Sequence, residues 1–472
     1  MPLHEKDHKR DMFLMFLLSL SGIHMAYFMS IFNPLAIPLL QGYYHVGEDI
    51  EEQSGNVMMY FALGATVSVA FLGKLADYFG RVKVLLATEF LAAAACLLYL
   101  VPGVGLLMFT RFISGLAGGI NNPISGILLV EKLPKKLGEE GNMIIFISSA
   151  SGLLIAYAMP LFVSRESMTV YWRCILGWPL IVHAVRFALL FYSLWGRDTP
   201  KFVAVKYGQK EDVKNRVKAS LLDVYEDEAL DDVIDEVISQ NSESAKSDHG
   251  GINPNTVKGL FSPLYLHKMI SGLIGNLGQQ ITGIGFLIYF STQLFDEISG
   301  NGTLMTLVIG IAYLAGGFLG VGVIAKYSEL NIMEYGCYIQ SLSMFGLVLC
   351  MKWKLFFALP LLLVTFMISY AISMGATMNL YVNEILPPMG VSIAVAASWV
   401  ASGLVGKVSP LLLPILGASN MLVFYGFCCA FVGFIIGRCC YDNTSDREKE
   451  AARELAESAA KTEAKKALDS PL

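Results

Sequence analysis

Twelve apolar stretches, each about as long as a bilayer-crossing helix, leave this chain few ways to fold. They lie near residues 12–40, 56–73, 82–102, 104–130, 143–163 and 172–195, then near 266–294, 304–325, 332–351, 355–381, 391–415 and 419–440. A hydrocarbon core of ~30 Å takes about 20 residues of helix. Within it, only helices and closed barrels satisfy their own backbone hydrogen bonds. Of the 472 residues, 55% are hydrophobic and only 15% charged, where a soluble domain carries about a quarter charged. A polar stretch separates the runs into six plus six, the layout of carriers built from two repeated bundles. The expected architecture is an all-α membrane protein with twelve transmembrane helices in two six-helix bundles. Its parts are an N-terminus at 1–11, a first bundle at 12–196, a helical linker at 197–262, a second bundle at 263–440 and a tail at 441–472.

Lysine and arginine set the orientation. They precede span 1 and recur in loop 2–3 (Lys74, Arg81, Lys83), loop 4–5 (Lys132, Lys135, Lys136) and the central stretch. Loop 1–2 holds Asp49, Glu51 and Glu52, and loop 7–8 holds Asp296 and Glu297, neither with a basic residue. Both termini and the linker are therefore expected in the cytoplasm, although Lys352 and Lys354 in loop 9–10 fit the rule poorly. The sequon Asn301-Gly302-Thr303 falls in an outside loop and is a glycosylation candidate. The first apolar run is long and lacks a small-residue cleavage site, so it reads as a retained span. In the linker, 208–225 and 227–240 place apolar residues at helical spacing among charges, and 241–255 reads as a flexible connection. The tail is rich in Ala, Glu and Lys and reads as helix in solvent. Six of the eight cysteines lie in apolar runs and no metal spacing occurs, so no metal or cofactor is expected. Cys439 and Cys440, beside Arg438, read as packing or palmitoylation sites. A net charge of −5 gives no argument for nucleic acid.

Several motifs recur across the spans. Loop 2–3 carries Gly73, Asp77, Gly80 and Arg81 as Gly-x-x-x-Asp-x-x-Gly-Arg. Span 4 begins with Arg111 and ends with Glu131-Lys132-Leu133-Pro134. Span 6 ends with Asp198-Thr199-Pro200-Lys201-Phe202. Span 7 reads Gln279-Gln280-Ile281-Thr282-Gly283-Ile284-Gly285, then Tyr289. Span 10 ends in Asn383-Glu384, and span 11 carries Trp399. Together these resemble the sugar porters of the major facilitator superfamily, from span 1 to span 12, as a divergent member.

The resemblance implies alternating access to one central site, with breakable charged pairs at the cytoplasmic side. Exposed pairs contribute ~0–1 kcal/mol each, so a network biases two states without locking either. Asp77, Arg81, Arg111, Glu131, Asp198 and Glu384 are assigned to that latch. The second half departs from the pattern, because loop 8–9 reads Ala325-Lys326-Tyr327-Ser328-Glu329 without the Gly-Arg. The substrate-binding set is Gln279, Gln280, Thr282, Tyr289, Asn379 and Trp399, amides and hydroxyls for sugar hydroxyls with an aromatic face for the ring. Several sugar contacts of the family are replaced: its span 5 Gln is Phe146, its span 7 Asn is Gly285, and its span 8 Asn is Tyr313. Proton-driven relatives carry an Asp beside a Tyr in span 1, and here Tyr27 is followed by Phe28. Passive transport is the expectation.

Ionisable groups within spans are costly and are usually paired or functional. Glu89 and Arg186 lie at matching depth in spans 3 and 6 and are expected to pair, with His183 nearby. Lys407, in span 11, either snorkels or faces the cavity. The reading is a monomeric facilitative carrier of a hexose or related sugar or polyol. A plasma-membrane location is expected, with an organelle membrane as the alternative. The rivals are a carrier for an organic anion, resting on Lys407, and a non-transporting membrane subunit or sensor, resting on the altered second-half motifs. An enzyme is not expected, because no nucleophile–base set or phosphate loop is present.

Overall fold

A computed structural model describes residues 8–207 apart from 48, 134 and 164–166, together with 217 and 256–442 apart from 264. The helical expectations for 208–216, 218–255 and 443–472 lie outside the described residues.

Within them the chain is helical and twelve spans are recognisable. Spans 2 to 5 are Ile50–Phe79, Arg81–Tyr99, Val104–Lys132 and Lys135–Phe162. Spans 8 and 9 are Gly302–Ile324 and Glu329–Lys352. Ten helical stretches are long and apolar enough to cross a membrane. The last of these, Pro388–Cys439, contains both spans 11 and 12, divided at Gly417 with φ +76° and ψ +158°. Span 7 is two 16-residue helices, Leu266–Ile281 and Ile284–Ser299, each short of a full crossing.

The interruptions have physical causes. Span 1 runs His8–Ser30 and resumes as Phe32–Gly42, because Pro34 offers no N–H to the preceding turn. Span 6 is Met168–Gly177 followed by Pro179–Leu194, again broken just before a proline. Span 7 breaks at Gly283, whose φ of +85° is a left-handed conformation costly to any residue with a Cβ. Span 10 runs Leu359–Tyr370, widens into a π-helix at Ala371–Thr377 and ends with Met378–Ile385. Such wide turns shift the hydrogen-bond ladder and often mark functional positions.

Spans 1 to 6 pack among themselves, and spans 7 to 12 do the same. The halves meet where span 2 packs on span 11, span 5 on span 8, and span 1 on span 7. Many of the exposed residues are large and apolar, including Phe71, Phe90, Ile181, Phe318 and Phe434. Water would not stabilise that surface, and lipid does. The chain is an integral, multi-pass membrane protein.

Candidate functional site

Arg81 opens span 3 at the centre of a charged network. Its Nε donates to Glu131 Oε2 at 3.1 Å, and its Nη1 lies 3.0 Å from Asp77 Oδ1. Asp198 Oδ1 accepts from the backbone N–H of Arg81 at 3.1 Å and of Thr199 at 2.9 Å. A carboxylate is favourable there, because the helix N-terminus presents unpaired N–H groups and the positive end of its dipole. Gly80, with φ +100°, makes the approach possible, since a Cβ would collide with the Asp198 carboxylate. Thr199 Oγ1 adds a hydrogen bond to Glu131 Oε2 at 2.7 Å. Asp77, Arg81, Glu131 and Asp198 are thus brought together as the motif spacing suggested. Glu384 is exposed at the end of span 10, on the other half. The ion pairs of Arg81 and Glu131 join spans 2, 3 and 4 with Lys201, just beyond span 6.

Arg111 does not belong to that group. It lies 20 residues before Glu131 on one helix, about 30 Å away along the axis at 1.5 Å per residue. It is fully buried. Its Nε donates to Val57 O at 2.8 Å, its Nη1 donates to Phe28 O, and its guanidinium lies 4.6 Å from the ring centroids of both Phe32 and Phe61. Backbone carbonyls and two rings, not a carboxylate, hold this cation. The family pattern located the residue, but depth along span 4 separates it from the latch.

Glu89 and Arg186 pair as expected, with both side chains fully buried. His183 Nδ1 is 2.6 Å from Glu89 Oε1, and Asn121 Nδ2 donates to Glu89 Oε2 at 2.7 Å. Arg186 also donates to Asn121 Oδ1 at 2.8 Å and to Leu17 O at 3.0 Å. The cluster therefore ties spans 1, 3, 4 and 6 together inside the first half. A buried charge is tolerated when paired and fully hydrogen-bonded, as Glu89 is here.

The glutamine pair ends the first helix of span 7, just before the Gly283 break. Gln279 Nε2 donates to Met374 O in the π-helix at 2.7 Å, and Gln280 Nε2 donates to Ser398 Oγ at 3.1 Å. Both glutamines are half-buried. Beyond Ser398, half-buried Trp399 stands against Phe61 of the first half, centroids 6.1 Å apart. Asn379 is exposed and donates to Gly375 O at 3.1 Å. Half-buried Phe146 packs against Tyr313 at 5.7 Å, and a Cβ on Gly375 would lie 3.2 Å from its ring. These residues form a continuous rim where the halves face each other.

Two expected site residues stand apart from that rim. Thr282 is fully buried, and its Oγ1 donates back to Gln279 O at 2.8 Å. It shapes the break of span 7 and is not presented to a solute. Tyr289 is buried, its hydroxyl 2.8 Å from Ser402 Oγ. It packs between spans 7 and 11 as part of a closure.

That closure lies at the loop 1–2 end. Asn33 Nδ2 donates to Ile288 O at 2.8 Å, while its Oδ1 accepts from Thr292 N–H at 3.0 Å. Tyr157 donates its hydroxyl to Ile288 O at 2.8 Å. Lys407 Nζ lies 3.1 Å from Glu52 Oε1 and donates to Asn56 Oδ1 at 2.7 Å. Lys407 therefore neither snorkels alone nor faces a solute, because its acidic partner comes from the opposite half. Glu52, Asn56 and Tyr157 went unassigned in the sequence reading. Glu52 and Asn56 at helical i, i+4 spacing were the signal available there. Asn301 is exposed, just before span 8, as the sequon reading required.

A family profile described as Sugar (and other) transporter matches residues 17–453. A D-xylose transporter of Levilactobacillus brevis is 24% identical over 392 residues, 80% of this chain and 82% of that protein. A galactose-proton symporter of Escherichia coli (strain K12) is 24% identical over 432 residues, 88% of this chain and 87% of that protein. Among solved structures, a partially occluded inward open conformation of the xylose transporter XylE from E. coli aligns with a TM-score of 0.75. The alignment covers 92% of this chain and all of that one at 16% identity, and shows the fold. With the profile spanning nearly the whole sequence and the fold that of the major facilitator superfamily, the chain belongs to the sugar (and other) transporter family.

Proposed function

We propose that this protein is a facilitative carrier of a hexose or a related sugar or polyol, working by alternating access. The observation that carries the reading is the half-buried Gln279–Gln280 pair at the break of span 7, on the boundary between the halves and beside Trp399. Amide groups there exchange intramolecular partners for sugar hydroxyls, and the indole offers the ring an apolar face. The names of the relatives, a D-xylose transporter and a galactose-proton symporter, support a monosaccharide substrate.

Uniport is favoured by the surroundings of Arg111. The span 1 residue facing it is Phe28, which contributes only a carbonyl. Held by carbonyls and rings, this guanidinium has among its described partners no carboxylate that could load and release a proton. The organic-anion alternative rested on Lys407, which is engaged by Glu52 and Asn56. With both termini read as cytoplasmic, the closed loop 1–2 end is the outer side, and the Arg81 network lies at the inner side. The carrier is read as a monomer in the plasma membrane.

Purified protein in liposomes tests this. Uptake of labelled D-glucose or D-xylose should equilibrate without accumulating, and an imposed proton gradient should leave the end point unchanged. Accumulation driven by the gradient would replace uniport with symport. No flux of any monosaccharide by folded protein would favour the non-transporting subunit.

A further inference from the structure

We propose that the central site selects a monosaccharide with one deoxygenated or O-methylated edge over the parent hexose, and that Phe146 sets this preference. The proposal rests on the sugar-carrier reading and adds the substrate class. Its basis is an unequal division of chemistry between the halves. The second half supplies the polar groups of the rim: Gln279, Gln280 and Asn379, with Ser398 behind them. The first half supplies rings. Half-buried Phe146 reaches across to Tyr313 and to the backbone at Gly317 and Gly375, while Phe61 is fully buried between Arg111 and Trp399 and stiffens the boundary behind it.

The first-half polar side chains that cross the boundary are already committed. Asn33 uses both ends of its amide, and Tyr157 its hydroxyl, on the backbone of span 7. A solute seated on the glutamines therefore turns its opposite edge toward aromatic carbon. A hydroxyl on that edge loses water and finds no partner. A C–H or methyl group on the same edge gains contact area. A hexose carries hydroxyls around its whole ring, whereas a deoxy or O-methyl sugar has one bare edge that matches the Phe146 ring.

The experiment is competition against labelled D-glucose uptake in proteoliposomes holding the full chain, with 2-deoxy-D-glucose, 6-deoxy-D-glucose and 3-O-methyl-D-glucose as competitors. At least one analogue should compete about tenfold more strongly than unlabelled D-glucose. Phe146→Gln, which places an amide on the wall, should bring that ratio close to one. Phe146→Leu, which keeps the wall apolar, should preserve it and guards against a general loss of fold. D-glucose competing as well as every analogue, or an unchanged ratio in Phe146→Gln, would overturn the proposal while leaving the carrier reading intact. Absence of any monosaccharide uptake would overturn the carrier reading itself, and the preference with it.

Discussion

Single residues divide here into those facing a solute and those holding the fold. Gln280 is of the first kind: its Nε2 donates to Ser398 Oγ at 3.1 Å and to Gln279 Oε1 at 3.5 Å, bonds a sugar can replace. Gln280→Ala should raise the half-saturating sugar concentration about tenfold, since a buried polar contact contributes ~1–3 kcal/mol. An unchanged value would remove the glutamine pair from the site. Glu89 is of the second kind, and Glu89→Ala would leave Arg186 buried without its anion. Loss of one partner of a buried ion pair costs about 3–5 kcal/mol. That loss should appear as a clearly lowered unfolding temperature in detergent. Equal stability of the variant would show that the cluster does not brace the first half.

Among the elements, span 7 departs furthest from a plain transmembrane helix. Its break depends on Gly283, and a Cβ at that position would meet the Tyr425 ring at 2.6 Å as well as adopt a φ of +85°. The left-handed conformation alone costs a residue with a Cβ about 1–2 kcal/mol. Gly283→Val should abolish uptake, because straightening span 7 moves the glutamines off the rim. Protein that reaches the membrane and transports normally would show that the break is dispensable. The π-helix of span 10 has a matching role, since its Met374 carbonyl is the acceptor that orients Gln279.

For the whole molecule the question is which end is shut. The loop 1–2 end is closed by Asn33, Tyr157 and Lys407, each bonded across the halves. At the loop 2–3 end, Arg81 and Glu131 pair with Asp77, with each other and with Lys201. Lys407→Ala should weaken the closure. A cysteine placed at Ser402, which is buried in this state, should then react faster with a membrane-impermeant thiol reagent from outside. A partly exposed pair contributes at most ~1 kcal/mol, so the increase should be about two- to fivefold. No increase would mean that packing of span 2 on span 11 holds the closure without the ion pair.

Chain composition and spacing were enough for the twelve spans, the two halves and the Glu89–Arg186 pair, because bilayer thickness and the cost of a lone buried charge act on any chain alike. Asp77, Arg81, Glu131 and Asp198 were legible through the family resemblance, and the structure adds the physics, a helix start that attracts an anion and a glycine that admits it. Arg111 was misplaced because motif membership says nothing of depth along a helix, and Lys407, left between snorkelling and facing the cavity, finds its partner Glu52 on the opposite half. Tyr289 and Thr282 look like site residues on a one-dimensional span, but the break at Gly283 turns them inward. Whether a polar side chain meets a solute, a backbone carbonyl or the opposite bundle is decided by how two helical bundles lie against each other. That arrangement sums many weak, long-range contacts, and only the tertiary structure contains it.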